Sequence, residues 1–348
     1  MSTPPRHAAP VTAVPESPPP PAAPPARRLA PRLLSVLEAY AMVGLLALIA
    51  IFFSFYSKTA DTFPTSANIE QIVGGQAVVA IIALAALIPL ICNEWDLSVG
   101  ATAGMSSIFA AAAMSQGTPV ILAILLGIGL GALVGMVNAI IITRVGVSAV
   151  ITTLGMATII EGVVNQKSRG LAIVANIPSS VVDFGSENWL GIPRTAYALA
   201  LAAILVYYGL THTPVGRQLY ALGANHEGAR LVGLRTKLLL GGTFVAAGAL
   251  AGAAGVLQVA RAGGADPRIG PSLTLPALAA AFLSAAAIKP GRFNVGGTLV
   301  AIFFLATLNN GLNLAGAAPY VSSYINGAAL ILGVGLAAFL GRKRTGVG

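Results

Sequence analysis

The sequence predicts an all-α, polytopic membrane bundle of about ten transmembrane helices, and three observations predict it. Hydrophobic residues make up 56% of the 348 and charged residues 9%, with a mean hydropathy of +0.83, where an ordinary soluble domain carries roughly 25% charged residues. Apolar runs near or above the roughly 18 residues that suggest a span recur along the chain, separated by short polar or Gly/Pro-rich breaks. Lipid cannot satisfy free backbone groups, so repeated spans of this kind are helical, and the alternating strands of an outer-membrane barrel are not what the pattern shows.

The expected spans are 39–57, 74–92, 98–115, 119–142, 146–165, 195–212, 238–260, 273–288, 294–315 and 321–341. Placing the N-terminus in the cytoplasm puts 14 of the 20 Lys/Arg on that side, including Arg27, Arg28 and Arg32 before the first span and Arg342-Lys343-Arg344 after the last. The asymmetry favours an even helix count with both termini cytoplasmic. Residues 1–38, rich in Pro and Ala, read as a disordered tail and not as a signal peptide, because they are too long and too proline-rich before the first apolar run. The remainder divides into a transmembrane domain over 39–341 and a basic tail over 342–348. The net charge of +9 is explained by topology and not by nucleic acid, since the basic residues sit at helix ends.

An internal echo suggests an inverted repeat of five plus five helices. Asp96-Leu97-Ser98-Val99-Gly100 follows the second span and Asp266-Pro267-Arg268-Ile269-Gly270 the seventh; Gly131-Ala132-Leu133-Val134 and Gly297-Thr298-Leu299-Val300 fall in the fourth and ninth.

Polar residues inside such a chain are costly, and they mark candidate sites. Pro89 should break or kink the second span, and Asp96 follows with no cation nearby in sequence. Two compatible roles fit Asp96: capping the next helix from Ser98, or lining an aqueous pathway. Glu161 lies within the fifth span, near its outer end, as a pathway or relay acid or as a structural glutamate that reaches the interface. Glycines 127, 131 and 135 share one face of the fourth span, with Asn138 about a turn on, and Gly248 and Gly252 repeat the device in the seventh. Thr152, Thr153, Asn309, Asn310 and Asn313 add uncharged donors and acceptors at membrane depth. Singly these are interhelical glue; together they suit a neutral hydroxylated solute, which needs directional hydrogen bonds and no counter-ion.

Two loops exceed a turn. The outer stretch 166–194 carries Asp183, Glu187 and Trp189, and the cytoplasmic stretch 213–237 carries a dense set of charges. In the latter, a short amphipathic helix from Gly216, a break near Gly223-Ala224-Asn225 and a second turn from Glu227 to Val232 form a paired element suited to docking in a groove of a soluble partner. Its candidate docking residues are Gly216, Arg217, Tyr220, Ala221, Gly223, Asn225, Ala229 and Gly233. No G-x-x-x-x-G-K-[ST], G-x-S-x-G or H-E-x-x-H motif occurs, so the chain reads as a non-enzyme. One cysteine, Cys92, and three histidines without ligand spacing suggest no metal site and no cofactor of its own.

In Asp96-Leu97-Ser98-Val99-Gly100, Asn138 with Val150-Ile151-Thr152-Thr153-Leu154-Gly155-Met156, Gly216-Arg217 with Tyr220-Ala221-Leu222-Gly223-Ala224-Asn225, and Gly296-Gly297-Thr298-Leu299 with Asn309-Asn310-Gly311-Leu312, the sequence resembles the ribose-type permeases of bacterial ABC importers. They belong to the wider group that includes branched-chain amino acid and nucleoside permeases. The resemblance spans roughly 39–341. It implies an inner-membrane permease that pairs with itself or a similar permease. Two ATPases, which hold the ATP and Mg, would dock on the 213–237 loop, and a periplasmic or lipid-anchored binding protein would deliver a monosaccharide. Glu161 stands where the family usually has an arginine, and Leu283-Ser284-Ala285-Ala286-Ala287 replaces a glycine pair. The alternatives are a permease of the same group for nucleosides or branched-chain amino acids, and a proton-coupled secondary transporter using Asp96 or Glu161.

Overall fold

The computed structural model describes residues 30–345, with side chains described from 38 to 337. Most of the expected N-terminal tail and the last three residues lie outside that range. The described chain is a helical bundle with one two-residue hairpin. In order it holds α1 (Ala30–Phe55), α2 (Ser66–Leu90), α3 (Val99–Ser115) and α4 (Val120–Ile140), which runs into a π turn over Ile141–Val145. Then come α5 (Ala149–Ser168), α6 (Ser179–Ser186), the strands β1 (Asn188–Trp189) and β2 (Ile192–Pro193), and α7 (Arg194–His212). After α8 (Pro214–Ala224) and α9 (His226–Leu231) follow α10 (Thr236–Ala262), α11 (Ile269–Leu283), α12 (Val295–Leu314) and α13 (Tyr320–Thr345). Among the described residues nine helices are long and apolar enough to cross a membrane, and α3 is a shorter apolar helix, so a helix lies at each of the ten expected positions.

Three boundaries differ from expectation: α2 begins at Ser66, about two turns before the expected 74, and the first and last helices outrun their spans. The first helix begins at Ala30, inside the stretch read as tail, and the last continues to Thr345 through the basic residues read as tail. Neither extension breaks helical propensity, since arginine, leucine and lysine are all good helix formers.

The centre of the bundle is built by α2 and α10. Every residue from 80 to 92 is buried, as expected of a helix that is apolar all round. α10 packs on α4, α3 and α2, while α1 lies outside against α12, and α13 against α11. The contact of α10 with α4 is backbone on backbone. A Cβ on Gly131 would lie 2.9 Å from the Gly252 Cα and collide with the Gly248 carbonyl; one on Gly252 would lie 3.0 Å from the Ile128 Cα. The two glycine faces seen in sequence are therefore each other's partner. Without hydrophobic driving force between helices in lipid, such close approach supplies the association energy through dispersion.

The first half of the internal echo has a structural counterpart. α3 and α11 each start three residues after their aspartate, whose Oδ1 accepts an N–H from two residues on at 2.9 Å, Ser98 in one case and Arg268 in the other. The residue before each helix has nearly the same backbone, φ −90° and ψ −6° at Ser98, φ −89° and ψ −7° at Arg268. Gly100 and Gly270 then meet, a Cβ on Gly270 lying 3.0 Å from the Gly100 carbonyl. The second echo fails: Gly131 sits mid-helix in α4, whereas Gly297 lies in the first turn of α12, held by the Asn294 cap.

Replacing Gly131 with leucine is expected to destabilise the purified protein by about 2–3 kcal/mol or prevent its assembly, because neither backbone can yield. Gly129→Leu, whose Cβ meets nothing within 4 Å, should leave thermal unfolding unchanged.

Candidate functional site

Residues 91–98, between α2 and α3, gather the buried polar groups. Pro89 lies in the last turn of α2, and the helix stops one residue later. The chain turns at Asn93, whose φ of +61° is left-handed, a conformation asparagine tolerates better than most residues. It then runs back into the bundle. Asp96 is 2% exposed, and its Oδ1 accepts both the Ser98 N–H at 2.9 Å and the Ser98 hydroxyl at 2.6 Å. Asn138, fully buried on α4, donates from Nδ2 to Ser98 Oγ at 3.0 Å. On α5 the Thr153 hydroxyl accepts the Leu97 N–H at 3.1 Å and lies 3.3 Å from the Trp95 carbonyl.

Asp96, Ser98, Asn138 and Thr153 therefore form one buried cluster, with Thr152 beside Thr153 and buried as well. No salt bridge among the described residues reaches Asp96. Its expected role as a helix cap is corrected: Ser98 occupies the cap position, and Asp96 organises the turn before it. Among the described residues the Asn138 Oδ1 and the Thr152 hydroxyl are buried without a hydrogen-bond partner, which leaves acceptor capacity next to the cluster.

The other candidate pathway residues lie elsewhere. Asn310 donates to Asn68 Oδ1 at 2.9 Å, and the Oδ1 atoms of Asn309 and Asn310 are buried and unpartnered, whereas Asn313 is exposed. That pair sits between the C-terminal part of α12 and the start of α2, at the end of the bundle opposite α8 and α9. Among the described residues no hydrogen bond joins it to the Asp96 cluster, so the two groups are separate hydrogen-bonded sets. Glu161 is exposed on α5, on a face running through Ile151, Leu154, Gly155, Thr158, Gly162 and Asn165. A Cβ on Gly155 or Gly162 would meet nothing within 4 Å. α5 packs mainly on α3 and α4, with the π turn at its start, and is the least apolar of the long helices.

The paired element over 213–237 forms as expected, starting two residues early because Thr213 caps the Gly216 N–H at 3.2 Å and Pro214 takes the first helical position. Asn225 separates the helices and caps the second, accepting from Gly228 at 2.8 Å. Arg217, Ala221, Asn225 and Gly233 are exposed; Gly216 and Ala229 are buried, and Tyr220 and Gly223 half-buried. Gly216 and Ala229 thus pack the element down and do not face outward. A Cβ on Gly223 would collide with the Ile91 carbonyl. Leu231 and Val232, 85% and 78% exposed, form an apolar tip on α9 that the expected list missed, although two adjacent aliphatics in a charged loop were a usable signal.

Three further residues were missed. Asn93 donates from Nδ2 to the Gly223 carbonyl at 2.6 Å. The Arg292 guanidinium lies 3.6 Å above the Tyr220 ring, a cation–π contact, while the Tyr220 hydroxyl donates to the Phe293 carbonyl at 2.9 Å. Asn294 caps α12 and ties it to Ser284 and Ala287, each through Nδ2 at 3.0 Å. These are loop residues whose partners are distant in sequence. Burial raises the Tyr220 hydroxyl above its ordinary range, against the pull of Arg292. Burial likewise raises Glu94, with His226 pulling the other way. Burial, aided by Glu94, pushes the Cys92 thiol up to about 12.

An apolar bundle with nine helices long enough to cross a membrane among the described residues is the layout of a polytopic membrane protein. Residues 68–334 match the family model for the branched-chain amino acid transport system permease component, and the chain belongs to that family. It is 30% identical over 305 residues to the ribose import permease protein RbsC of Escherichia coli K12, covering 86% of this chain and 93% of the relative. It is 28% identical to the D-allose transport system permease AlsC of the same strain, covering 86% and 91%. A solved chain described as an inward-facing metal-chelate type ABC transporter shares the fold, with a TM-score of 0.50 at 16% identity over 90% of this chain and 99% of that one. Within the family the chain is a ribose-type ABC permease, and a proton-coupled carrier is set aside.

Ser98→Ala removes a donor from a buried carboxylate and an acceptor from Asn138 together, so it should cost about 2–3 kcal/mol in chemical or thermal unfolding. At pH 8 the Cys92 thiol remains protonated, so the folded protein should resist iodoacetamide while the chain unfolded in detergent labels fully. Rapid labelling of the folded protein would contradict that burial.

Proposed function

We propose that this chain is the membrane-spanning subunit of an ATP-driven importer that carries a monosaccharide across a bacterial inner membrane by alternating access. The observation that carries the reading is the outward face of α5. Glu161, Thr158 and Asn165 share it with two glycines that touch nothing, on a helix long enough to span. A carboxylate and an amide facing lipid would cost several kcal/mol, roughly 2.5–3.5 for the acid alone at the bilayer centre. The face therefore belongs against water or another chain, and a second permease copy with the pathway between the two provides both.

The remaining parts follow from that arrangement. With both termini in the cytoplasm, α8 and α9 lie on the cytoplasmic surface, where Arg217, Ala221, Asn225 and the tip Leu231-Val232 offer a docking surface for ATPase subunits. Those partners hold the ATP and Mg. On the opposite surface, α6 and the β1–β2 hairpin are fastened by Arg194–Glu187 at 2.7 Å and by Asn188 to Glu70 at 2.6 Å, a platform for a solute-binding protein. The uncharged amides Asn309 and Asn310 near that surface suit a hydroxylated neutral solute. The relatives named for ribose and D-allose support a sugar of that kind.

Gly155→Leu and Gly162→Leu test the reading in vesicles containing the ATPase and binding-protein partners. On a lipid-facing surface both changes would be neutral or mildly favourable, since each adds apolar area where there is open space. In a pathway they should lower sugar uptake about tenfold or more with insertion unchanged. Unaltered uptake in both variants, or uptake that continues without the ATPase, would sink the proposal.

A further inference from the structure

We infer that the segment 91–98 is the coupling element of the transporter, joining the docking helix α8 to the pathway helix α5, and that Asn93 is a positioning residue for transport. The inference rests on the docking and pathway roles proposed above and names the connection between them.

At one end the segment is attached to α8 in three ways. The Asn93 amide donates to the Gly223 carbonyl at 2.6 Å, the Cys92 thiol lies 3.7 Å from the Leu219 carbonyl, and Gly223 admits the Ile91 carbonyl only because it has no side chain. A chain of rings gives a parallel attachment. Trp95 meets Phe282 edge-on with centroids 4.8 Å apart, Phe282 meets Phe293 at 6.0 Å, and the Phe293 carbonyl accepts the Tyr220 hydroxyl of α8. At the other end the segment is attached to the helices that would move. Leu97 N–H donates to Thr153 on α5, and Ser98, held by Asp96, accepts from Asn138 on α4.

Open space beside the segment lies on its Glu94 side. Beside Glu94 a cavity of about 540 Å³ opens between the segment, Thr143 and Arg144 of the π turn, Ser148 before α5, His226 and Lys237. The π turn ends at Gly146 with φ +87°, a left-handed joint directly before α5. Widened turns of this type recur at functional sites. α5 packs on few neighbours, so its position depends on α3, α4 and this segment. A push on α8 is thus delivered to Thr153, while Gly146 lets α5 swing. The buried Asp96–Ser98–Asn138 bonds keep the segment rigid, as a lever must be, because an interior hydrogen-bond network has discrete arrangements and does not deform continuously.

Two variants at Asn93 separate this lever from a structural contact. Asn93→Gly keeps the left-handed backbone and removes the donor, and Asn93→Asp keeps size and backbone but faces a carboxylate to the Gly223 carbonyl. In proteoliposomes with the ATPase and binding protein, sugar uptake and ATP hydrolysis are measured per inserted, ATPase-bound chain. The expected result is basal hydrolysis within about twofold of wild type in both variants, with sugar moved per ATP falling about fivefold in the glycine variant and further in the aspartate variant. Unchanged sugar per ATP in both would overturn the lever, as would a parallel fall in hydrolysis and uptake that leaves their ratio intact. Failure of the wild-type chain to bind the ATPase is a distinct result: it would overturn the docking role beneath the proposal.

Discussion

Backbone contact between α10 and α4 is the constraint on which the rest of the bundle depends. Gly127, Gly131 and Gly135 admit α10 so closely that carbonyls of one helix lie where side chains of the other would stand. Burial from water contributes little once a helix is in lipid, so association relies on dispersion at short range and on satisfied polar groups. With α4 and α10 locked, the side of α10 formed by Ala247, Ala251 and Ala254 is free to receive α2 and α3, and Gly255 accepts the backbone of α3 in the same manner. The short helices α3 and α11 then meet at Gly100 and Gly270.

The same economy explains where polar groups sit. A buried carboxylate without a cation is tolerated at Asp96 because two donors from Ser98 converge on one oxygen, and Asn138 completes the set. Such buried bonds are costly to break, because losing one strands the other members. Glu161, exposed on α5, has no such hydrogen bond among the described residues. The two acids are therefore placed oppositely: Asp96 is buried and bonded within the fold, Glu161 is exposed on the surface of the chain.

Much of the architecture was legible in the residues. Ten spans, the paired element at 213–237 and the glycine faces all follow from local pattern, because apolar runs, helix caps and four-residue spacing act over a few residues. Asp96 and Asp266 also announced two like helix starts. The matching Gly131 and Gly297 tetrapeptides did not correspond, since short Gly-rich strings recur without sharing a position in a helix. Gly216 and Ala229 looked like docking residues by composition but pack inward, a distinction that depends on what α7 and α10 present to them.

By itself the sequence determined that this protein is a helical membrane bundle, where most of its helices begin and end to within a few residues, and which residues are out of place in lipid. Only the tertiary structure decided that Asp96, Ser98, Asn138 and Thr153 form one cluster, that the Asn309 pair does not join it, and that Asn93 grips α8. The physical reason is range. Hydropathy and capping are read within one turn of helix, whereas the bonds from Asn93 to Gly223 and from Asn138 to Ser98 join residues 130 and 40 positions apart. Those pairings exist only once the helices have closed around each other.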